Sequence, residues 1–131
     1  EISISAPTKV TELKDGRLET YWIEPETMGL PRGALEDVRG GLAPGNAALI
    51  RQILEGKPGP EADIVVANAA AAITVGGLAG DLREGVAIAR ESIRSGRALR
   101  KLEELVSITR RYAAMEENNL RTADVAAGGK G

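Results

Sequence analysis

The polar and apolar positions of this chain change rhythm three times, and each rhythm predicts a different kind of element. At the start Ile2 and Ile4 alternate with Ser3 and Ser5. Two further alternating runs, 8–13 and 18–23, flank Lys14-Asp15-Gly16-Arg17. An Asp-Gly pair between alternating runs is the strongest short signal for a β-hairpin. The second rhythm is continuous: Asp63-Ile-Val-Val-Ala-Asn-Ala-Ala-Ala-Ala-Ile-Thr-Val-Gly-Gly77. Four apolar residues led by β-branched ones predict a buried strand over 64–67. Asn68 then caps a small, apolar helix over 69–75, which Gly76 and Gly77 stop. The third rhythm recurs every three or four residues. Pro44 suits the first turn of a helix whose inner face is Leu49, Ile50, Ile53 and Leu54. Asp81 with Glu84 three residues on forms an approximate capping box before the stripe Leu82, Val86, Ala89 and Ile93. Gly96 ends that helix, and a last one runs from about Arg97 to Tyr112 with Leu99, Leu102, Leu105 and Val106 inward.

Between these elements lie breakers. Pro25, Gly29, Pro31 and Gly33 make 24–33 a loop. A helical turn or two over 34–39 precedes Gly40-Gly41, and Gly56-Lys-Pro-Gly-Pro60 closes the first helix. The order is hairpin, helix, strand, three helices. The predicted class is α/β: a partial sheet with a β-hairpin and a buried central strand, packed with C-terminal helices. Residues 1–114 form the body. From Met115 the periodicity fades through Glu-Glu-Asn-Asn, so 115–131 are expected to be a disordered tail.

Composition narrows the core and the chemistry. With 131 residues there is material for one domain. Two Tyr, one Trp and no Phe leave the core to Leu, Ile, Val and Ala. Net charge is −2, from 17 basic and 19 acidic residues, which gives no reason to expect nucleic acid or an anionic membrane as partner. No run approaches the roughly 18 apolar residues of a membrane span. No Cys means no disulfide framework and no thiolate chemistry, compatible with a cytoplasmic location. The absence of His removes Ser-His-Asp triads and His-bearing zinc sites. Any chemistry must rest on carboxylates, Lys or Arg, hydroxyls, backbone N–H groups or a hard cation.

Candidate sites are few, and each has an ordinary explanation. Gly76-Gly-Leu-Ala-Gly80 precedes a helix as phosphate loops do. It follows a predicted helix rather than a strand, lacks both the Gly-Lys-Ser/Thr and the G-x-G-x-x-G spacing, and carries Asp81, which would repel a phosphate. An interhelical turn is the better reading. Arg39-Gly-Gly41 reads as a solvated loop, and Glu103-Glu104 and Glu116-Glu117 as solvated helix charges. Glu1, with Ser3 and Ser5 nearby, offers hard oxygen ligands of the kind Mg²⁺ takes. A terminal Glu on its own is ordinarily just exposed.

Several segments nevertheless resemble one family. Glu1-Ile-Ser-Ile-Ser-Ala-Pro-Thr-Lys-Val-Thr-Glu-Leu13 resembles the stretch that follows the Asp-Glu metal dipeptide of the anthranilate phosphoribosyltransferases. Gly29-Leu-Pro-Arg, Leu35-Glu-Asp-Val-Arg-Gly-Gly41 and Asn46-Ala47 are similar to segments further along the same family. Asp63-Ile-Val-Val-Ala-Asn-Ala-Ala-Ala-Ala72 resembles its core. Leu82-Arg-Glu-Gly-Val-Ala-Ile-Ala-Arg90 and Ser95-Gly-Arg-Ala-Leu99 are similar to its closing helices. Each segment is modest alone; their shared order, from Glu1 to about Tyr112, is what is specific.

The resemblance implies a transferase of tryptophan biosynthesis that joins anthranilate to phosphoribosyl pyrophosphate with Mg²⁺ and releases pyrophosphate. It implies a fold similar to that of the class II nucleoside phosphorylases, with a small helical domain beside a larger α/β domain. Glu1 falls on the second acid of the metal dipeptide. The family's Gly-Thr-Gly-Gly-Asp pyrophosphate loop, its anthranilate-contacting segments and its helical domain belong upstream of that point. The expected partners are therefore the two substrates, the upstream segment of the same enzyme and, as an open case, a second copy of the chain. No other catalytic residue is assigned, and Leu42 stands where the family carries Asp. Two alternatives remain: a related pentosyltransferase of the same fold, and a non-enzymatic helical interaction module.

Overall fold

The computed structural model describes the chain from Glu1 to Gly128, with side-chain surroundings described as far as Glu116. Strands β1 (Thr8–Lys14) and β2 (Arg17–Ile23) pair antiparallel with Thr8 opposite Ile23 and Lys14 opposite Arg17. Asp15 and Gly16 both have positive φ, 50° and 74°. That is the mirror-image turn whose twist matches a hairpin, and it is why Asp-Gly stands there. Two short 3₁₀ turns, Pro25–Met28 and Glu36–Val38, lead to four helices: α1 (Ala43–Leu54), α2 (Pro60–Val75), α3 (Leu82–Arg94) and α4 (Arg97–Gly128).

The hairpin, α1 and α3 stand as expected. The buried central strand does not: 64–67 lie inside α2, one continuous helix of 16 residues. A short apolar run is compatible with either conformation, and here the flanks decide. Pro60 is placed in the first turn with Glu61 and Asp63 beside it, where a missing N–H costs nothing and negative charge meets the positive end of the helix. Five alanines then favour helix over strand. Asn68 is accordingly no cap; it stands in the middle of α2. Among the described residues the sheet has only the two hairpin strands.

The core is a helix pair with a strap. Val66, Ala67 and Ala70 of α2 are buried against Gly85, Val86 and Ala89 of α3. Over this pair runs the opening segment. Ile2 and Ile4 are buried, in keeping with their alternation against serines, and Ile23, Met28 and Leu30 close the cluster. Asp81 caps α3 by accepting from the Glu84 N–H at 2.8 Å, while the Glu84 carboxylate reaches back to the Gly80 N–H at 2.7 Å. Ile53 of α1 is buried, but Ile50, expected inward, is 47% exposed. Leu105 of α4 is likewise exposed, although Leu102 and Val106 on either side of it are half-buried. α4 also runs on through the segment where order was expected to fade. Its Ala, Glu, Arg, Leu and Met residues are helix formers, and no Pro or Gly interrupts them before Gly128. Residues 129–131 of the expected tail lie outside the described residues.

The hairpin is unusually bare. Leu13 pairs with Leu18, and two pairs along on the same face Lys9 sits beside Trp22. Leu13, Leu18 and Trp22 are each about two-thirds or more exposed. Among the described residues no other strand pairs with either edge of the two-stranded ribbon, and an open edge is a template for another strand. The isolated chain is therefore expected to self-associate when sedimented at low micromolar concentration. A single sharp monomer with a cooperative thermal transition would show that this ribbon needs no cover.

Candidate functional site

Glu1 is exposed at the start of a segment that is itself firmly held. Its carboxylate makes no hydrogen bond or ion pair among the described residues. The hydroxyls of Ser3 and Ser5 lie 3.0 Å apart, and Ser3 Oγ also accepts from the Ser5 N–H at 3.0 Å. They are thus occupied with a local turn. The Thr8 hydroxyl accepts from the Ser3 N–H at 3.0 Å and fixes the bend into β1.

Two contacts pin the segment. The Asn68 carboxamide faces the backbone of Ile2. Its Oδ1 accepts from the Ile2 N–H at 2.8 Å, and its Nδ2 donates to the Ile2 carbonyl at 2.9 Å. Further along, the Gly33 N–H donates to the Ile4 carbonyl at 3.0 Å. A β-carbon on Gly33 would fall 2.8 Å from Ile4 Cδ1, so glycine is what lets the two strips of chain come together. Gly33 is itself steadied by its neighbour Arg32. That guanidinium bonds both Glu24 and Glu26, at 2.7 and 2.9 Å. The Glu26 carboxyl is held below its ordinary range, first by its own backbone N–H and then by Arg32.

The other candidate stretches take their ordinary places. Gly76–Gly80 form the turn between α2 and α3, with Gly77 at φ 72°. The Arg39-Gly-Gly41 loop is closed by Asn46, whose amide accepts from the Gly41 N–H at 2.7 Å and donates to its carbonyl at 3.0 Å. Glu103 lies 3.9 Å from Arg51, and Glu104 is 2.6 Å from Lys101. These are exposed pairs that contribute little to stability. Glu116 is exposed, and the Glu117 side chain lies outside the described surroundings.

A groove of about 880 Å³ opens between the hairpin and the α2–α3 turn, lined by Val10, Tyr21, Met28, Val75 and Leu82 among others. Desolvation and the hydrogen bond to Glu12 raise the Tyr21 phenol above its ordinary pKa. Among the described residues no three acids converge as a metal cluster. The Glu1 carboxylate, expected to meet a cation, is exposed at the start of the segment that Asn68 and Gly33 hold. That donor set fits a hard ion that takes one or two carboxylates and fills the rest of its shell with water and phosphate.

Sequence reasoning singled out Glu1 and missed Asn68 as part of this arrangement. A polar amide in the middle of an apolar run was the available signal, since such a group must find partners when covered.

Residues 1–99 match the glycosyl transferase family, a/b domain. The anthranilate phosphoribosyltransferase of Rhodopseudomonas palustris (strain BisB5) is 48% identical over 109 residues, 83% of this chain and 32% of that protein. The Thioalkalivibrio sulfidiphilus anthranilate phosphoribosyltransferase is 50% identical over the same shares. The crystal structure of anthranilate phosphoribosyltransferase from Thermus thermophilus superposes with a TM-score of 0.73 at 38% identity, covering 84% of this chain and 32% of that one. The Saccharomyces cerevisiae anthranilate phosphoribosyltransferase in complex with 4-fluoroanthranilate superposes at 0.70 and 28% identity, over 79% and 30%. The chain spans about a third of the length of the curated relatives it matches.

Proposed function

The chain belongs to the glycosyl transferase family, a/b domain, and from that we propose that it is the C-terminal part of an anthranilate phosphoribosyltransferase. The observation that carries the proposal is the coincidence of sequence and shape. The stretch that shares about half its residues with those transferases also follows the backbone of one of them. A related pentosyltransferase with another acceptor has less support, because the named relatives share one activity.

In the complete enzyme, residues 1–114 contribute one side of the α/β domain. Anthranilate and phosphoribosyl pyrophosphate are held mainly by the upstream portion. Glu1 supplies a metal ligand, presented by the strip that Asn68 and Gly33 hold. Mg²⁺, when bound, neutralises charge on the pyrophosphate that leaves the ribose. The part of this chain is then positional: a carboxylate held at one edge of a wall, and a surface against which the upstream portion closes.

The test joins this chain to the upstream portion of the enzyme and follows the loss of anthranilate fluorescence in the presence of phosphoribosyl pyrophosphate as Mg²⁺ is titrated. Glu1→Gln keeps the shape and removes the charge, so it is expected to shift the titration to higher Mg²⁺ with the fold intact. Absence of turnover in the unsubstituted protein would sink the transferase reading. An unchanged titration would return Glu1 to an ordinary exposed residue.

A further inference from the structure

We infer that Asn68 is a positioning residue for Glu1: its carboxamide clamps the backbone of Ile2 and so fixes the point from which the Glu1 carboxylate reaches the bound cation. The inference rests on the reading of Glu1 as a metal ligand.

The clamp is specific to an amide of this length. The Ile2 backbone presents one donor and one acceptor side by side, and the Asn68 side chain answers both, at 2.8 and 2.9 Å. A neighbouring strand would offer the same pair of groups, so the amide takes the place of a strand partner. The second Nδ2 hydrogen is also used, on the Ile64 carbonyl one turn back in α2 at 3.0 Å. Three of the four hydrogen bonds an Asn side chain can make are therefore present. Aspartate could accept but not donate, leucine could do neither, and glutamine would carry the amide too far. Asparagine is a poor helix former, and in the middle of α2 it must be offset by what it holds.

The segment it holds has little other freedom. Ile2 and Ile4 are 8% and 1% exposed, and the Gly33 N–H bonds the Ile4 carbonyl. Glu1 is joined to this fixed strip by a single peptide unit, about 3.8 Å between Cα atoms. The clamp therefore fixes where the Glu1 Cα stands, and the carboxylate reaches the cation from that point through its own side-chain torsions. Without the clamp, the first residues can leave the α2 surface while Ile4 stays anchored. A ligand that has to be ordered at the moment of binding contributes less to affinity.

Two measurements test this. In the 131-residue chain, amide hydrogen exchange at Ile2 is compared between the unsubstituted protein and Asn68→Leu, with the Gly85 amide as an internal reference for the α2–α3 core. Exchange at Ile2 is expected to accelerate while Gly85 keeps its rate. In the complete enzyme carrying this chain, Mn²⁺ is titrated in place of Mg²⁺ and binding is read by electron paramagnetic resonance, without turnover. Asn68→Leu is expected to weaken binding about 10-fold, the usual scale for a residue that orients a metal ligand. In the Asn68→Leu background, Glu1→Gln should weaken it by much less than it does alone. Asn68→Asp, which keeps the acceptor only, should fall between. Equal Ile2 exchange in the two proteins would overturn the clamp. A Glu1→Gln that weakens Mn²⁺ beside an Asn68→Leu that does not would overturn the positioning role alone. A Glu1→Gln without effect would remove the metal reading, and the positioning role with it, even where the exchange result held.

Discussion

The 131-residue chain by itself is expected to leave anthranilate fluorescence unchanged with phosphoribosyl pyrophosphate and Mg²⁺, at any protein concentration that can be reached. Phosphoryl-bearing substrates are held by glycine-rich backbone and by cations placed around them. The glycine stretches here are accounted for elsewhere. Gly76–Gly80 is a turn whose last N–H is taken by Glu84, and Gly41 is taken by Asn46. The carboxylate proposed as the metal ligand, Glu1, stands without a second acid beside it to form a cluster among the described residues. Nothing in this arrangement would stabilise a leaving pyrophosphate, so the loss relative to the complete enzyme should be total within detection. Joined to the upstream portion, the same residues should support turnover. Turnover by the pure chain would mean that the active site lies within these residues and that Glu1 is not its edge.

The second large effect is on stability. At the α2–α3 crossing, a β-carbon on Gly85 would stand 2.7 Å from the Ala70 carbonyl oxygen and 3.1 Å from Ala70 Cα. The obstacle is backbone, which cannot rotate away. Gly85→Val and Ala70→Leu should each overpack this contact at a cost of about 1–3 kcal/mol. At this chain length that corresponds to roughly 4–12 °C in the thermal midpoint, followed by far-UV circular dichroism at fixed protein concentration. Gly85→Ala should cost less, since alanine returns about 1 kcal/mol of helix propensity. Ala72, exposed on the far side of α2, serves as control: Ala72→Leu should move the midpoint little. If Gly85→Val and Ala70→Leu both leave the midpoint in place, the two helices do not meet as described.

The elements set by local chemistry were legible from the sequence. Asp15-Gly16 specified the hairpin turn, Asp81 with Glu84 the start of α3, and Pro44 the start of α1. The resemblance of 1–112 to the transferases was legible too, because many short segments agreed in order. What failed depended on contacts far apart in the chain. The stretch 64–67 is as apolar as a buried strand because a helix packed between a strap and another helix needs apolar residues on most sides. Pro60 with Glu61 and Asp63 carried the information that it is helical. Leu105 fits the period of α4 but lies on a face the body leaves uncovered while its neighbour Val106 is half-buried, which no local pattern can reveal. Asn68 was read as a cap because an Asn after an apolar run is commonly one. Its true partner is 66 residues away and appears only when the opening segment is laid across α2.

The bareness of the hairpin bears on how this protein can be watched. Trp22 is the single indole of the chain, and it stands 65% exposed on the outer face of β2. The α2–α3 core is built from aliphatic and small side chains that neither absorb nor emit in the near ultraviolet. Intrinsic emission therefore starts near that of indole in water and changes little when the helices melt, so a fluorescence melt would miss the event that matters. The same probe becomes informative when something lies down on the ribbon, because burial would shift its emission to the blue. The chain thus carries its own optical label for assembly, and none for the unfolding of its core.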